Sequence, residues 1–263
     1  MSSLPTVVLV HGAWHTPANY QTYVDALKKR GFQVHCPQLP TCTGIPPPTG
    51  SLVEDIACVK SLVTSLVDDG QRVLMILHSY GGAVGGSAVE GLSIPEREAA
   101  GKLGGVIHLL YLCAYMVPTG VSAGDIIREA KFEEILKENL DISPDGLTAL
   151  KDPGLAFFSG RADQATVEKA LKSLVRFPNQ ALYDPTTGCA WKTIPATYIR
   201  TLQDYAVPPI YQEIILGKVK YAGIEVKVET FDADHSLFIT EQEEMVQAAM
   251  NAATDERNSA GSY

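Results

Sequence analysis

The sequence predicts an α/β fold: a mostly parallel sheet of about six strands, flanked by helices and carrying an inserted helical cap. Three features of the chain predict it. Short β-branched apolar runs alternate with segments of helical period, the pattern of a parallel sheet and its crossover helices. The leading run, Val7 to Val10, has no polar interruption, as a strand covered on both faces requires. From Val117 to about Trp191 the alternation lapses and helical patterns succeed one another. A chain of 263 residues is near the upper size of a single core. Residues 1–116 and 191–263 are therefore expected to build one α/β core, with residues 117–190 as the cap.

The elements follow in order. Val7 to Val10 is the first strand and ends in His11-Gly12-Ala13. Thr16-Pro17 reads as an N-cap followed by proline at the first helical position. Tyr20, Tyr23, Val24 and Leu27 share a face of that helix, Lys28, Lys29 and Arg30 favour its negative end, and Gly31 stops it. Phe32 to Cys36 is a second strand, and a proline-rich loop runs from Pro37 to Gly50. Ser51-x-x-Glu54 is a capping box for a helix whose apolar face holds Val53, Ile56, Val59, Leu62, Val63 and Leu66. Arg72 to Leu77 is the third strand, a helix begins near Gly81, and Val106 to Cys113 is the fourth strand. The cap is expected to hold helices near Ile126–Glu138 and Gln164–Val175 with no strand between them. Strands at Ala196–Arg200 and Glu225–Glu229 complete the sheet, and Thr240-x-x-Glu243 opens the last helix.

Composition narrows the partners. A net charge of −9 gives no basic face for nucleic-acid phosphates or anionic membrane surfaces. The longest apolar stretch, Val106 to Val117, is too short to span a bilayer and carries His108. Five cysteines without a C-x-x-C pair argue against a metal site, and no secretory signal is visible at Met1 to Pro5, so a reducing, cytoplasmic setting is expected. A homodimer is left open.

Four segments carry chemistry. Leu77-His78-Ser79-Tyr80-Gly81-Gly82 lies directly between a buried strand and a helix. A serine there sits on a tight turn that lifts its hydroxyl above the sheet edge, with helix N-terminal N–H groups behind it. Leu77 departs from the usual glycine of such turns, and a plain serine N-cap would explain the same residues. His235, in the loop after the final strand, is placed to take the serine proton, which a neutral hydroxyl nucleophile needs. Asp204, past the preceding strand, would hold the imidazole in its working tautomer. The order Ser, Asp, His, with the acid on its own strand loop, favours it. Asp232 and Asp234 are the competing carboxylates. Finally, His11-Gly12-Ala13-Trp14-His15 follows the first strand, opposite the serine turn. The Ala13 and Tyr80 backbone N–H groups are the candidate oxyanion hole. Trp14, His15, Tyr80, Met116, Trp191 and Leu237 flank these motifs as candidate walls of an apolar cavity, though core packing explains each equally well.

Taken together, these motifs, with Leu112–Pro118 and Ala190–Tyr198, make the chain resemble the α/β-hydrolase superfamily over nearly its whole length. The resemblance is to the compact branch of plant methylesterases, hydroxynitrile lyases and their microbial relatives. It implies a helical cap over an apolar pocket and no cofactor. It further implies that a lyase would carry threonine at Gly12 and lysine at Ser236, so this chain falls on the esterase side. The expected reaction is acyl transfer on a small, largely apolar ester or lactone. A carbon–carbon hydrolase, a hydroxynitrile lyase, or a hydrolase-like small-molecule receptor stand as alternatives on the same residues.

Overall fold

Val7 to Val10 are fully buried, and their side chains divide between two cores. Val8 and Val10 enter one cluster, Val7 and Leu9 the other, because successive strand residues point to opposite faces. This is β1 (Thr6–Val10), the second strand from one edge of the main sheet. The computed structural model describes residues 4–44 and 50–255. The other strands are β2 (Val34–His35), β3 (Arg72–His78), β4 (Gly105–Leu112), β5 (Leu140–Ile142), β6 (Leu147–Leu150), β7 (Phe177–Pro178), β8 (Ala196–Thr201) and β9 (Lys227–Phe231). Six of them form one sheet, β2-β1-β3-β4-β8-β9, with every neighbouring pair parallel.

Helices α1 (Gln21–Lys29), α2 (Leu52–Asp68), α3 (Gly81–Ala88) and α4 (Ile94–Ala99) connect the first four strands. In α2 the capping box forms as expected, with the Glu54 N–H donating to Ser51 Oγ and the Ser51 N–H donating to Glu54 at 2.9 Å. Its face differs in one respect: Val53 is 58% exposed and Asp55 points inward. Residues 52, 55, 56, 59 and 63 share the inner stripe, and position 53 lies off it. The expected strand at Phe32–Cys36 shortens to Val34–His35, since Phe32 packs into the core ahead of the pairing.

Between β4 and β8 lie α5 (Ala123–Glu129), α6 (Glu133–Asn139), α7 (Pro153–Phe158), α8 (Gln164–Leu171) and the three short strands β5 to β7. The expectation of helices without a strand here is corrected: β5, β6 and β7 make a small antiparallel sheet. The turn from Ser143 to Gly146 closes its first hairpin, with Gly146 at φ +80° and the Ser143 N–H on the Leu147 carbonyl at 2.8 Å. The single helix expected over Ile126–Glu138 breaks into two near Lys131, which sits at φ +63°.

The chain ends with α9 (Pro209–Tyr221), α10 (Leu237–Thr240) and α11 (Gln242–Ala253). The Thr240 capping box does not form, because Thr240 ends α10 and its hydroxyl donates to Asp234 at 3.1 Å. The last strand starts at Lys227 rather than Glu225, being a largely exposed edge strand with little apolar pattern to mark its start. Among the described residues no helix is long and apolar enough to cross a membrane.

Candidate active site

Ser79 follows β3 at φ +54°, a left-handed conformation costly for a residue with a Cβ. Its N–H donates to the Leu112 carbonyl at 3.2 Å, and its carbonyl accepts from Gly82 and Tyr115 at 3.0 and 3.1 Å. These bonds hold the turn at the C-terminal edge of the sheet, the edge where open α/β sheets bind ligands. Helix α3 can leave so steeply because Gly81 passes the β1 backbone: a Cβ there would sit 2.3 Å from the Val10 carbonyl oxygen. Leu77, in place of the usual glycine, is accommodated from the other side. A Cβ on Gly85 would fall 2.2 Å from Leu77 Cδ2, so the missing side chain at Gly85 of α3 leaves the room that the leucine fills.

His235 and Asp204 meet at 2.8 Å, Nδ1 to Oδ2, and both are almost fully buried. Asp204 also accepts from Thr201 Oγ1 at 3.0 Å and from the Ala206 and Val207 N–H groups at 2.9 and 2.7 Å. A carboxylate so placed accepts only, so Nδ1 of His235 is the donor and Nε2 is the ring nitrogen left to face another partner. The competing carboxylates are engaged elsewhere. Asp232 is exposed and takes Gln203 Nε2 at 2.8 Å, while Asp234 takes the Ser236 N–H at 2.9 Å and Thr240. The His235 ring lies between His78, centroids 4.5 Å apart, and Phe157, at 5.6 Å and nearly parallel. His78 is the neighbour of Ser79, so the imidazole lies close beside the serine turn. The Ser79 hydroxyl makes no hydrogen bond among the described residues and opens onto the cavity. Such contacts commonly close only when substrate binds.

A chain of hydrogen bonds ties this histidine to the loop after β1. His78 Nε2 lies 3.0 Å from the His235 carbonyl oxygen, an acceptor, so Nε2 bears the proton and Nδ1 is bare. Tyr20 Oη, 2.6 Å from Nδ1, must then donate to it, and accepts the Gly12 N–H at 3.0 Å. Burial holds His78 well below the usual histidine range, keeping the ring neutral and the direction of the chain fixed. Tyr80 has a second anchor. Its hydroxyl donates to Asp55 Oδ2 at 2.8 Å, and the Asp55 carboxylate also takes the Thr41 N–H and hydroxyl at 3.0 and 2.6 Å. Burial pushes Asp55 up to about 6. Among the described residues neither the Ala13 nor the Tyr80 N–H finds a backbone acceptor outside regular secondary structure.

Ser79, Ala13, Trp14, Tyr80 and Asp204 line one cavity of about 440 Å³, roofed by Ile127, Phe132, Leu136 and Leu150 from the inserted segment. Trp14 joins the two parts, its Nε1 donating to Thr148 at 3.2 Å and its carbonyl accepting from Val175 at 2.8 Å. The other expected wall residues lie elsewhere. His15 sits behind the floor against Phe157, its Nδ1–H on the Ala13 carbonyl at 2.8 Å. Met116 and Leu237 are core side chains. Trp191 donates to the Val117 carbonyl at 3.1 Å and borders a different hollow of about 790 Å³ near Arg72 and Ile94, at the opposite edge of the sheet. That hollow is larger but is lined by none of Ser79, His235 and Asp204. Sequence reasoning missed Tyr20, His78, Asp55 and Phe157. Asp55 alone left a legible trace, as an acid on the apolar stripe of α2.

The comparisons with known proteins agree with this architecture. The chain is 27% identical over 255 residues to the alpha/beta hydrolase nvfD of Aspergillus novofumigatus, covering 95% of this chain and 96% of the relative. It is 28% identical over 239 residues to the probable hydrolase R7 of a Phoma species, covering 88% and 91%. Among solved structures it is similar to an extracellular alpha/beta-hydrolase from a Paenibacillus species, with a TM-score of 0.73 at 20% identity over 95% of this chain and 100% of that one. The model of the alpha/beta hydrolase family matches residues 7–248. With that match spanning nearly the whole sheet and the inserted segment, the chain belongs to the alpha/beta hydrolase family.

Proposed function

We propose that this protein is a serine hydrolase that cleaves a small, uncharged and largely apolar carboxylic ester or lactone through an acyl-enzyme. The observation that carries the reading is the 2.8 Å bond from His235 Nδ1 to Asp204, beside a serine at φ +54° that opens into an apolar cavity. Ser79 Oγ attacks the carbonyl carbon while bare His235 Nε2 takes its proton. The Ala13 and Tyr80 N–H groups receive the oxyanion. His235 then protonates the departing alcohol, and a water molecule repeats the attack to free the acid and Ser79. Asp204 stabilises the imidazolium formed in both halves. Among the described residues the cavity lining holds no lysine or arginine, which supports a substrate without an anionic group.

The lyase alternative is less well supported. A Cβ at Gly12 would lie 3.0 Å from Ser79 Cβ, and Ser236 is buried with its N–H on Asp234 and the Phe157 carbonyl, away from the cavity lining. The test is a panel of chromogenic esters, lactones and cyanohydrins. Ser79→Ala and His235→Ala are each expected to lower kcat for an ester on the order of 10⁴-fold with folding retained. Retention of most activity in either variant overturns the assignment. Tight ligand binding without turnover by the unaltered protein would favour the receptor reading.

A further inference from the structure

We propose that Tyr115 and Tyr211 form a second oxygen-binding subsite in the cavity, which selects substrates carrying a further uncharged oxygen besides the reacting carbonyl. The inference rests on reading the cavity beside Ser79 as the substrate site.

The two tyrosines come from neighbouring strands. Tyr115 follows β4 and Tyr211 opens α9 after β8, and β4 and β8 are paired in the sheet. Ser79 follows β3, so Ala13, after β1, lies on one side of it and the tyrosines lie on the other. Tyr115 is fixed to the serine turn by its own N–H on the Ser79 carbonyl. Both side chains are 4% exposed, and both line the cavity.

Neither hydroxyl has a hydrogen-bond partner among the described residues, which sets the pair apart. The buried hydroxyls of Tyr20, Tyr23 and Tyr80 are all engaged, with His78, the Met245 carbonyl and Asp55. Those of Tyr111 and Tyr198 are also unpartnered, but they are sealed inside the core where nothing could reach them. Tyr115 and Tyr211 instead border open space. A buried phenol is normally matched to a partner, and here the partner position is the cavity itself. Burial pushes both phenols up, and Tyr211 raises Tyr115 further through its proximity, so both stay protonated donors. Of the other polar groups in the lining, Asp204 is engaged with His235, Asp152 caps α7 and the Asn139 amide donates to the Ile135 carbonyl, while the Ser79 hydroxyl is the proposed nucleophile and Tyr205 is 59% exposed. Two neutral donors with no nearby cation fit a carbonyl, ether or hydroxyl oxygen and give little to a carboxylate.

The test uses Ser79→Ala protein, which cannot turn over an ester, and isothermal titration. The probes are nonan-2-one and its oxa-analogues, in which successive methylenes are replaced by an ether oxygen. Adding Tyr115→Phe and Tyr211→Phe changes only the donors, so comparison across the series cancels the solvation of the ether. At least one oxa-analogue is expected to bind about five- to tenfold more weakly once both hydroxyls are gone, while the parent ketone changes less than about twofold. The proposal is overturned if no position in the series distinguishes the two proteins, if the parent loses as much as the analogues, or if none of the ketones binds at millimolar concentration. Turnover of the corresponding esters by the unaltered protein reads the hydrolase proposal separately. An oxygen preference without turnover removes that proposal and leaves the subsite standing.

Discussion

Tyr20→Phe removes one oxygen and nothing else, which makes it the sharpest probe of how the site is held together. The ring stays stacked on Phe238, whose centroid is 4.3 Å away. What disappears is the link between the Gly12 N–H, at 3.0 Å, and His78 Nδ1, at 2.6 Å. Both groups are buried, so each loses its partner without gaining water. An unsatisfied buried group costs about 1–3 kcal/mol, giving a stability loss of about 2–6 kcal/mol. The catalytic effect follows from position. Gly12 precedes the proposed oxyanion donor Ala13, and His78 holds the carbonyl of His235. Removing one oxyanion donor outright costs about 10²–10³ in kcat, so loosening it is expected to cost at least tenfold, with KM within about threefold. Steady-state kinetics on an accepted ester, together with denaturant unfolding, reads both quantities. If stability falls while kcat stays within twofold of the unaltered protein, the hydrogen-bond chain is packing alone and its positioning role is wrong.

Three further outcomes follow from the same geometry. Gly85→Ala drives a methyl toward Leu77 Cδ2 and should destabilise by about 1–3 kcal/mol. Leu77→Ala in the same chain should recover much of that loss, and strictly additive costs in denaturant unfolding would contradict the fit. Asp55 has a folded pKa of about 6 against an ordinary 3.8, so between those values the folded chain binds more protons than the unfolded one. Stability should therefore fall by about 2 kcal/mol as pH rises from 4 to 6, and Asp55→Asn should abolish that component; an unchanged difference between pH 4.5 and 7 would refute it. His11 and His15 are pushed down to about 4 and 3, so below pH 6.5 the unfolded chain takes up protons that the folded chain refuses. Each should withdraw up to about 1.4 kcal/mol of stability per unit fall in pH. For His11 the cause is burial, which disfavours the charged ring and outweighs the Nδ1–H bond to the Gly12 carbonyl at 3.0 Å; Nε2 meanwhile accepts the Leu39 N–H at 3.2 Å. His15→Phe should flatten the acid limb of the unfolding midpoint, and an unaltered limb would count against it.

The sheet is legible in the sequence because strands buried on both faces leave apolar runs, uninterrupted at Val7–Val10 and broken only by His108 at Val106–Cys113. The serine turn was legible because small residues must crowd it. The edge strand β9 was placed two residues early, since a half-exposed strand writes little pattern. The hairpin of β5 and β6 was overlooked because three or four residues are too short for a period to emerge, and only Pro144-Asp145-Gly146 marked it. Wall residues were harder still. Adjacency to a motif placed Trp14 and Tyr80 at the cavity, but His15, Met116, Trp191 and Leu237 point into packing. The residues that lie over Ser79 come instead from the inserted segment, far away in the chain. Tyr20 and His78 looked like a core tyrosine and a spacer because their roles depend on contacts across 58 positions.

The central claim, that the Ser79 hydroxyl forms a covalent acyl-enzyme, is tested most directly by intact and peptide mass spectrometry of protein quenched during turnover of an activated ester. The account expects one acyl group on the peptide bearing Ser79, appearing in a burst equal to the enzyme concentration and missing in Ser79→Ala. Turnover at the unaltered rate by Ser79→Ala, or acyl mass found only on another side chain, would contradict it.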